Sequence, residues 1–347
     1  MSPTITINGR RIGVGEKPYI IAEIGVNHDG RLDRALELVA AAHRAGADAV
    51  KLQRFDPDLL LARSAGLASY QRDAGEADAH AMLARLSLAP GEFAQAAGHA
   101  HALGLHAIVT VFNDSLVAET DTLGFDAWKS ASPDIVHRPL LGALVATGKP
   151  IIASTGAATM AEVERAVGWL GAAGNGFALL HCVSSYPTPL DAANLAGVAA
   201  LADRFGCPVG YSDHTRSLDT GAWAVAAGAH ILEKHLTWDT AAPGPDHAAS
   251  CTGDQLASYI DRAHRAHRAL GSGVKAPSGI ELEVRRLSRQ SVVAARIIDE
   301  GEVITGRDIT YKRPGTGYEP WRAGEVIGQR TARRIDADHA FTEGDLR

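Results

Sequence analysis

The chain has 347 residues, 46% of them hydrophobic and 21% charged, with 34 Lys and Arg against 40 Asp and Glu for a formal net charge of -6. This is the make-up of an ordinary globular protein, long enough for one large domain and a smaller one. A negative balance without any Lys/Arg run argues against a nucleic-acid partner, and no apolar run approaches the ~20 residues of a membrane span. The first residues, MSPTITINGRRIG, lack the apolar core of a signal peptide. Cys182, Cys207 and Cys251 stand without CxxC spacing, so buried thiols in a reducing, cytoplasmic compartment are expected.

Asn8-Gly9 between two short alternating runs predicts a type I′ hairpin at the start. A rhythm then begins. Eight short runs rich in Ile, Val, Leu and Ala read as strands: YIIAEIG, ADAVKLQ, LHAIVTVF, FDAWKSAS, KPIIAST, FALLHCVSS, CPVGYSD and AHILEKHL. Helical patterns such as RLDRALELVAAAHRAGA and MAEVERAVGWLGAAG lie between most of them, several closing on Gly. Eight such alternations predict a (β/α)8 TIM barrel over residues 1–272, with the hairpin at its front. The Gly/Pro/Ser-punctuated stretch 273–289 reads as a connection. Residues 290–347, with short β-like pieces and turn signals, read as a small β-rich domain near the lower size for unaided folding.

Chemistry in such a barrel sits at the carboxyl ends of the strands, so the polar residues closing each run are the candidates. The first strand ends in Glu23, followed by Asn27 and His28; the second offers Lys51 and Gln53; the fourth gives Lys129, Ser132 and Asp134. The fifth ends at Ser154, the sixth at Ser184, Ser185 and Tyr186. The last two carry Ser212, Asp213 and His214, then Glu233, Lys234 and His235, with Asp246 and His247 just beyond. Any one of these alone is more simply a solvated or packed strand end. Jointly, two lysines, several serines and a Gly-rich turn suit a compact polyanion such as a phosphate ester bearing a carboxylate. His214 and His235 on neighbouring strands, with acids nearby, suit a divalent ion of the Mn, Fe, Co or Zn type. With two imidazoles and oxygen donors, a six-coordinate Mn-like site matches better than closed zinc. An anion clamp beside a Lewis acid suggests a carbonyl activated next to a phosphorylated partner. GSGVK and GTGYEP neither follow a strand nor open a helix, so they read as turns and not as a dinucleotide fingerprint. His264 and His267, three apart, read as a solvated helix face.

In order along the chain, IAEIGVNHDG, AVKLQRFDPD, KSASPD, IIASTG, LLHCVSSYPTP, YSDHT, EKHLTWD, PGPDH and YKRPGTG resemble the sialic acid synthase family. Its members condense phosphoenolpyruvate with an N-acylated aldose, releasing phosphate by C–O cleavage to give 3-deoxy-2-keto (nonulosonic) acids. The resemblance runs over nearly the whole chain, and the C-terminal piece is similar to the family's antifreeze-like (SAF) domain. It implies that Lys51, Lys129, Ser132, Ser154, Ser184 and Ser212 hold phosphoenolpyruvate, with Lys129 also catalytic. His214 and His235 would bind a divalent metal, Mn2+ with Mg2+ or Co2+ as alternatives, and Glu23 and Asp246 would be the acids beside the metal and the reacting water. Gln53, Asp134 and Tyr186 match acceptor-sugar positions. Arg313 matches an arginine reaching the sugar from the partner subunit of a domain-swapped homodimer. The chain departs from the family pattern at Asp134, where many members carry Glu, at Ser184, where some carry Asn, and at Val111, where proline is common. Two other readings stay open: a synthase for a phosphorylated aldose, which needs a second cationic cluster, and a non-catalytic carbohydrate-binding barrel.

Overall fold

The computed structural model describes residues 4–68, 71–72 and 74–347. Strands β1 (Thr4–Ile7) and β2 (Arg10–Gly13) form the expected antiparallel hairpin. Its turn residues Asn8 and Gly9 have φ of 43° and 81°, the two positive values that this turn requires. The eight apolar runs become β3 (Tyr19–Gly25), β4 (Ala49–Arg54), β5 (His106–Val111), β6 (Ala127–Ser130), β7 (Ile151–Ser154), β8 (Phe177–Cys182), β9 (Val209–Asp213) and β10 (Ile231–His235). All pair in parallel with their sequence neighbours, and β10 pairs with β3 to close the barrel. Helices such as Leu32–Ala45, Met160–Leu170 and Gly253–Leu270 cover the outside. Only short helical turns connect β5 to β6, whereas β4 leads into a long excursion carrying the helices Ala79–Leu86 and Pro90–Ala102. The expected His264/His267 helix face lies on the helix Gly253–Leu270.

Strand side chains alternate between the two faces of the sheet, and this alternation sorts the whole barrel. One parity, including Ile20, Ala22, Val50, Leu52, Trp128 and Leu232, packs outward against the helices. The other parity points inward. Near the amino ends it is apolar: Tyr19, Ile21, Ala49, Ile108, Ala127, Ile152, Ala178 and Ile231 form one cluster with Ile5, Ile7 and Ile12 of the hairpin. The hairpin therefore plugs the lower end of the barrel. Towards the carboxyl ends the same inward parity turns polar, through Lys51, Gln53, Lys129, Ser154, Ser212, Glu233 and His235.

The chain divides into two compact units, Met1–Gly271 and Ser272–Arg347. In the second, β11 (Ser291–Ala294) pairs antiparallel with β12 (Ile309–Lys312), and isolated bridges such as Ile298 to Ile335 complete a small β structure. Val292, Ala294, Ile298, Ile304, Val326, Ile335 and Phe341 are its core. The stretch read as a connection is partly helical: a 3-10 turn, Gly279–Glu281, continues into the helix Leu282–Ser288. A capping box at Ser278 and Glu281 explains that start. Among the described residues, no helix is long and apolar enough to cross a membrane.

Candidate active site

A cavity of about 340 Å³ opens among the carboxyl ends of the barrel strands, within the size range of small-molecule sites. Its floor is built by the inward parity. Lys51 Nζ lies 2.5 Å from Glu23 Oε2 and 3.8 Å from Glu233 Oε2, and donates to Thr110 Oγ1 at 3.1 Å. Burial works to lower the Lys51 pKa, but the two carboxylates outweigh it and hold the ammonium above its usual range. Lys129 donates to Ser154 Oγ at 2.5 Å and to the Ser130 carbonyl at 2.9 Å. With no carboxylate in direct contact, burial prevails there and lowers its pKa. Ser132 Oγ accepts from the Gly156 amide at 3.0 Å, and Ser212 Oγ donates to Glu233 Oε1 at 2.9 Å. Burial raises Glu23. Glu233 is lowered, because Lys129 and Lys51 outweigh its burial.

His214, just past β9, and His235, ending β10, come together as the neighbouring strands predict: their ring centroids are 5.3 Å apart. Tyr186 packs 4.1 Å from the His214 ring and edge-on to His235 at 6.0 Å. His214 Nδ1 is 2.9 Å from the Val183 carbonyl oxygen. His235 Nδ1 is buried without a hydrogen-bond partner, 3.5 Å from Asp246 Oδ2. Burial, then His214 and the nearby lysines, push His235 well below its ordinary pKa, which favours the neutral, ligating form. Burial raises Asp246. Among the described residues no group of three or more His, Cys, Asp or Glu forms a complete cage. Two convergent imidazoles, one with an orphaned nitrogen, fit a divalent ion whose remaining positions are filled by water or substrate oxygens.

Of the residues singled out in the sequence, Lys51, Gln53, Lys129, Ser132, Ser154, Ser184, Tyr186, Ser212, His214, His235 and Asp246 line this cavity. Glu23 is fully buried behind it, held by Lys51 and by Gln53 Nε2 at 2.9 Å. Gly25 permits that contact, since a Cβ there would overlap Glu23 Oε1. Asp134 lies off the wall on the 3-10 turn Ser132–Val136, with Oδ2 buried and unpartnered, and burial raises it to about 6. Arg313 is exposed in the second unit.

The two acids flanking the histidines have different fates. Asp213 and Lys234 belong to the outward parity, so they are not in the mouth: Lys234 Nζ lies 3.1 Å from Asp213 Oδ2 and 5.3 Å from the Tyr259 ring, beneath a helix. Glu233, of inward parity, is central to the floor. His247 and Asn27 tie loops instead, His247 Nδ1 to Thr237 Oγ1 at 2.6 Å and Asn27 Nδ2 to the Leu236 carbonyl at 2.9 Å. Ser185 donates to the Pro187 carbonyl at 3.3 Å. Val111, the departure from proline, faces outward into the packed shell. Thr110 and Cys182 share the inward parity of their strands and were legible on that basis. Met82, Leu83 and Leu86, also on the cavity, come from the excursion after β4, which no strand-end rule reaches.

A parallel barrel with its polar residues gathered at the carboxyl ends of the strands is the architecture of a barrel enzyme, here one with two buried lysines and several serines beside paired imidazoles. The NeuB family description matches residues 38–275, and the SAF domain description matches residues 289–347. The chain is 36% identical to the N,N'-diacetyllegionaminic acid synthase of Legionella pneumophila, over 92% of each chain. It is 30% identical to a pseudaminic acid synthase of Campylobacter jejuni, over 96% of this chain and 97% of that one. The crystal structure of the N-acetylneuraminic acid (sialic acid) synthetase of Leptospira borgpetersenii in complex with citrate matches with a TM-score of 0.75 and 31% identity. That match covers 82% of this chain and 95% of that one. The chain belongs to the NeuB family and is a transferase of the sialic acid synthase type with a C-terminal SAF domain.

Proposed function

We propose that this protein condenses phosphoenolpyruvate with an open-chain, unphosphorylated N-acylated aldose, releasing phosphate and forming a 3-deoxy-2-keto acid. One observation carries the reading. Lys51, Lys129 and the hydroxyls of Ser132, Ser154, Ser184 and Ser212 share a single cavity with His214 and His235. A carboxylated enol phosphate brought out of water needs such fixed cations and donors. Lys51 faces Glu23 and Glu233 on the floor, and an anion beside Lys129 would favour its protonated form, against the effect of burial. The cavity's described lining holds no cation beyond the two lysines and the imidazoles, which supports an acceptor without a second phosphate.

In the reaction, C3 of the enol phosphate bonds to the aldehyde carbon, water adds at C2, and the C–O bond to phosphate breaks. Asp246, on the cavity, is placed to take the proton from that water directly, and Glu23, buried behind it against Lys51, could take it only through an intervening group; both are raised by burial, and a carboxylate of raised pKa is the better base. A divalent ion such as Mn2+, held by His214 and His235, would supply Lewis acidity towards the aldehyde oxygen. A second copy of the chain is part of the proposal: Ile280, Val284 and Leu287 form an exposed apolar stripe on the turn and helix that begin the second unit. Arg313, exposed in the same unit, would reach the sugar bound by the partner copy.

Mass spectrometry of products from phosphoenolpyruvate, Mn2+ and a panel of N-acylated hexoses tests the reaction; a keto acid heavier than the aldose by the pyruvate unit is expected, with equimolar phosphate. His235→Ala should abolish metal-dependent turnover with the circular dichroism spectrum unchanged. Full turnover of this variant in chelator would refute the metal assignment.

A further inference from the structure

Asp246 reaches the cavity from a loop and not from a strand end. The loop runs on from β10 towards the helix Gly253–Leu270, and Asp246 immediately precedes its one regular piece, the 3-10 turn His247–Ala249. Backbone bonds close the base: the Thr237 amide donates to the Cys251 carbonyl at 2.8 Å, and the Cys251 amide to the His235 carbonyl at 2.9 Å. Asp29 ties the outer part, accepting from the Trp238 indole at 3.3 Å and lying 3.1 Å from His247 Nε2. Neither tie touches Asp246 itself.

Asn27, in the loop after β3, reaches it through one hydroxyl. Its Nδ2 donates to the Leu236 carbonyl at 2.9 Å and to Ser250 Oγ at 2.8 Å, and Ser250 Oγ donates to the Asp246 carbonyl at 2.6 Å. The direction of this relay is fixed. A carbonyl only accepts, so the amide nitrogen must face Leu236; the Ser250 hydroxyl then receives a proton from Asn27 and turns its own to Asp246. All three residues are buried, where linked hydrogen bonds strengthen one another. Asn27 Oδ1, by contrast, is buried without a partner. Leaving an acceptor bare costs free energy, so the fold gains less from this amide than the placement of Asp246 does.

This deepens the function proposed above and rests on it. We infer that Asn27 is a positioning residue: through Ser250 it fixes the chain at Asp246 and so aims the carboxylate at the water that adds to C2.

Phosphate release with phosphoenolpyruvate, Mn2+ and the panel of N-acylated hexoses is compared in the parent, Asn27→Ala, Ser250→Ala, the double variant and Ser250→Thr. The ties at Asp29 and Cys251 remain in every variant, so circular dichroism should be unchanged. Each single alanine change should lower kcat about 10- to 100-fold, the usual cost of losing a group that orients a reacting one. The KM and the calorimetric Kd for phosphoenolpyruvate should not move. The double variant should be no slower than the slower single, because both changes break one relay. Ser250→Thr keeps the hydroxyl, and its methyl has room because Ser250 also faces a separate cavity of about 340 Å³; it should restore most of the kcat lost in Ser250→Ala. Parental kcat in the alanine variants, losses that multiply in the double variant, or a threonine variant as slow as the alanine one overturns the inference and leaves the proposed reaction standing. No phosphate release by the parent with any N-acylated aldose overturns both.

Discussion

Gly156 shows how little room the proposed anion cradle leaves. A Cβ at this position would overlap Ser184 Oγ and stand 2.7 Å from Ser132 Oγ and 3.0 Å from Cys182 Sγ, while the Gly156 amide already donates to Ser132. Gly156→Ala must push those donors aside. It should raise the KM for phosphoenolpyruvate at least about tenfold, the cost of one misplaced charge-assisted contact, with thermal stability little changed; an unaltered KM in phosphate-release assays would refute the cradle's geometry. His28 carries a different prediction. It is buried after β3 with Nε2 unpartnered, and burial lowers its pKa to about 4. Between the ordinary histidine value and about 4 the unfolded chain binds a proton that the folded one refuses. This residue's contribution to stability is therefore complete above that window and is lost as pH falls through it, by on the order of 3 kcal/mol. Urea melts at pH 7.5 and pH 4.5 should show a smaller acid loss for His28→Asn than for the parent.

At the scale of strands, parity decides what each polar residue does. Ser212 and Asp213 are neighbours in sequence, as are Glu233 and Lys234, yet the first of each pair faces the cavity and the second faces the helices. Asp213 and Lys234 form a buried pair, with Asp213 Oδ1 also accepting from the Thr215 amide at 2.8 Å. Removing one partner leaves an uncompensated buried charge, so Lys234→Met should cost about 3–5 kcal/mol in urea unfolding. The double variant Asp213→Asn with Lys234→Met should recover most of that. If the pair were instead part of the anion site, the double variant would lose its affinity for phosphoenolpyruvate, which calorimetry would detect. Reading strand ends as a group placed both residues at the rim; counting two by two from Ile231 or Gly210 separates them. Gly210 itself is an inward position, where a Cβ would crowd Leu180 and the backbone of Ile231.

For the molecule as a whole, each unit has its own apolar core, so the second is not a mere tail. What its core does not absorb is the stripe at its beginning. Ile280 is 90% exposed, Val284 61% and Leu287 46%, and their spacing of four and three puts them on one helical face. Such a face wants covering. The dimer proposed above predicts that Val284→Glu with Leu287→Glu yields a single-chain species in sedimentation velocity at micromolar concentration where the parent sediments as two chains. A dimer that survives the double change would place the interface elsewhere.

The barrel was legible because its signal is local and repeated: eight apolar runs, helical patterns between them, and a turn dipeptide at the hairpin, each set by backbone sterics and burial within a few residues. The meeting of His214 with His235 followed from the same order, since neighbouring strands in a parallel barrel bring their carboxyl ends side by side. Tertiary structure alone decided the rest. Whether a helix after β4 returns to wall the mouth depends on contacts between residues far apart in the chain, as with Gly30 against Arg85. Likewise the protonation preferences of Glu23, Glu233 and the two lysines arise from charges that four separate strands bring into one dry space, where burial and proximity compete and no single segment of sequence holds the balance.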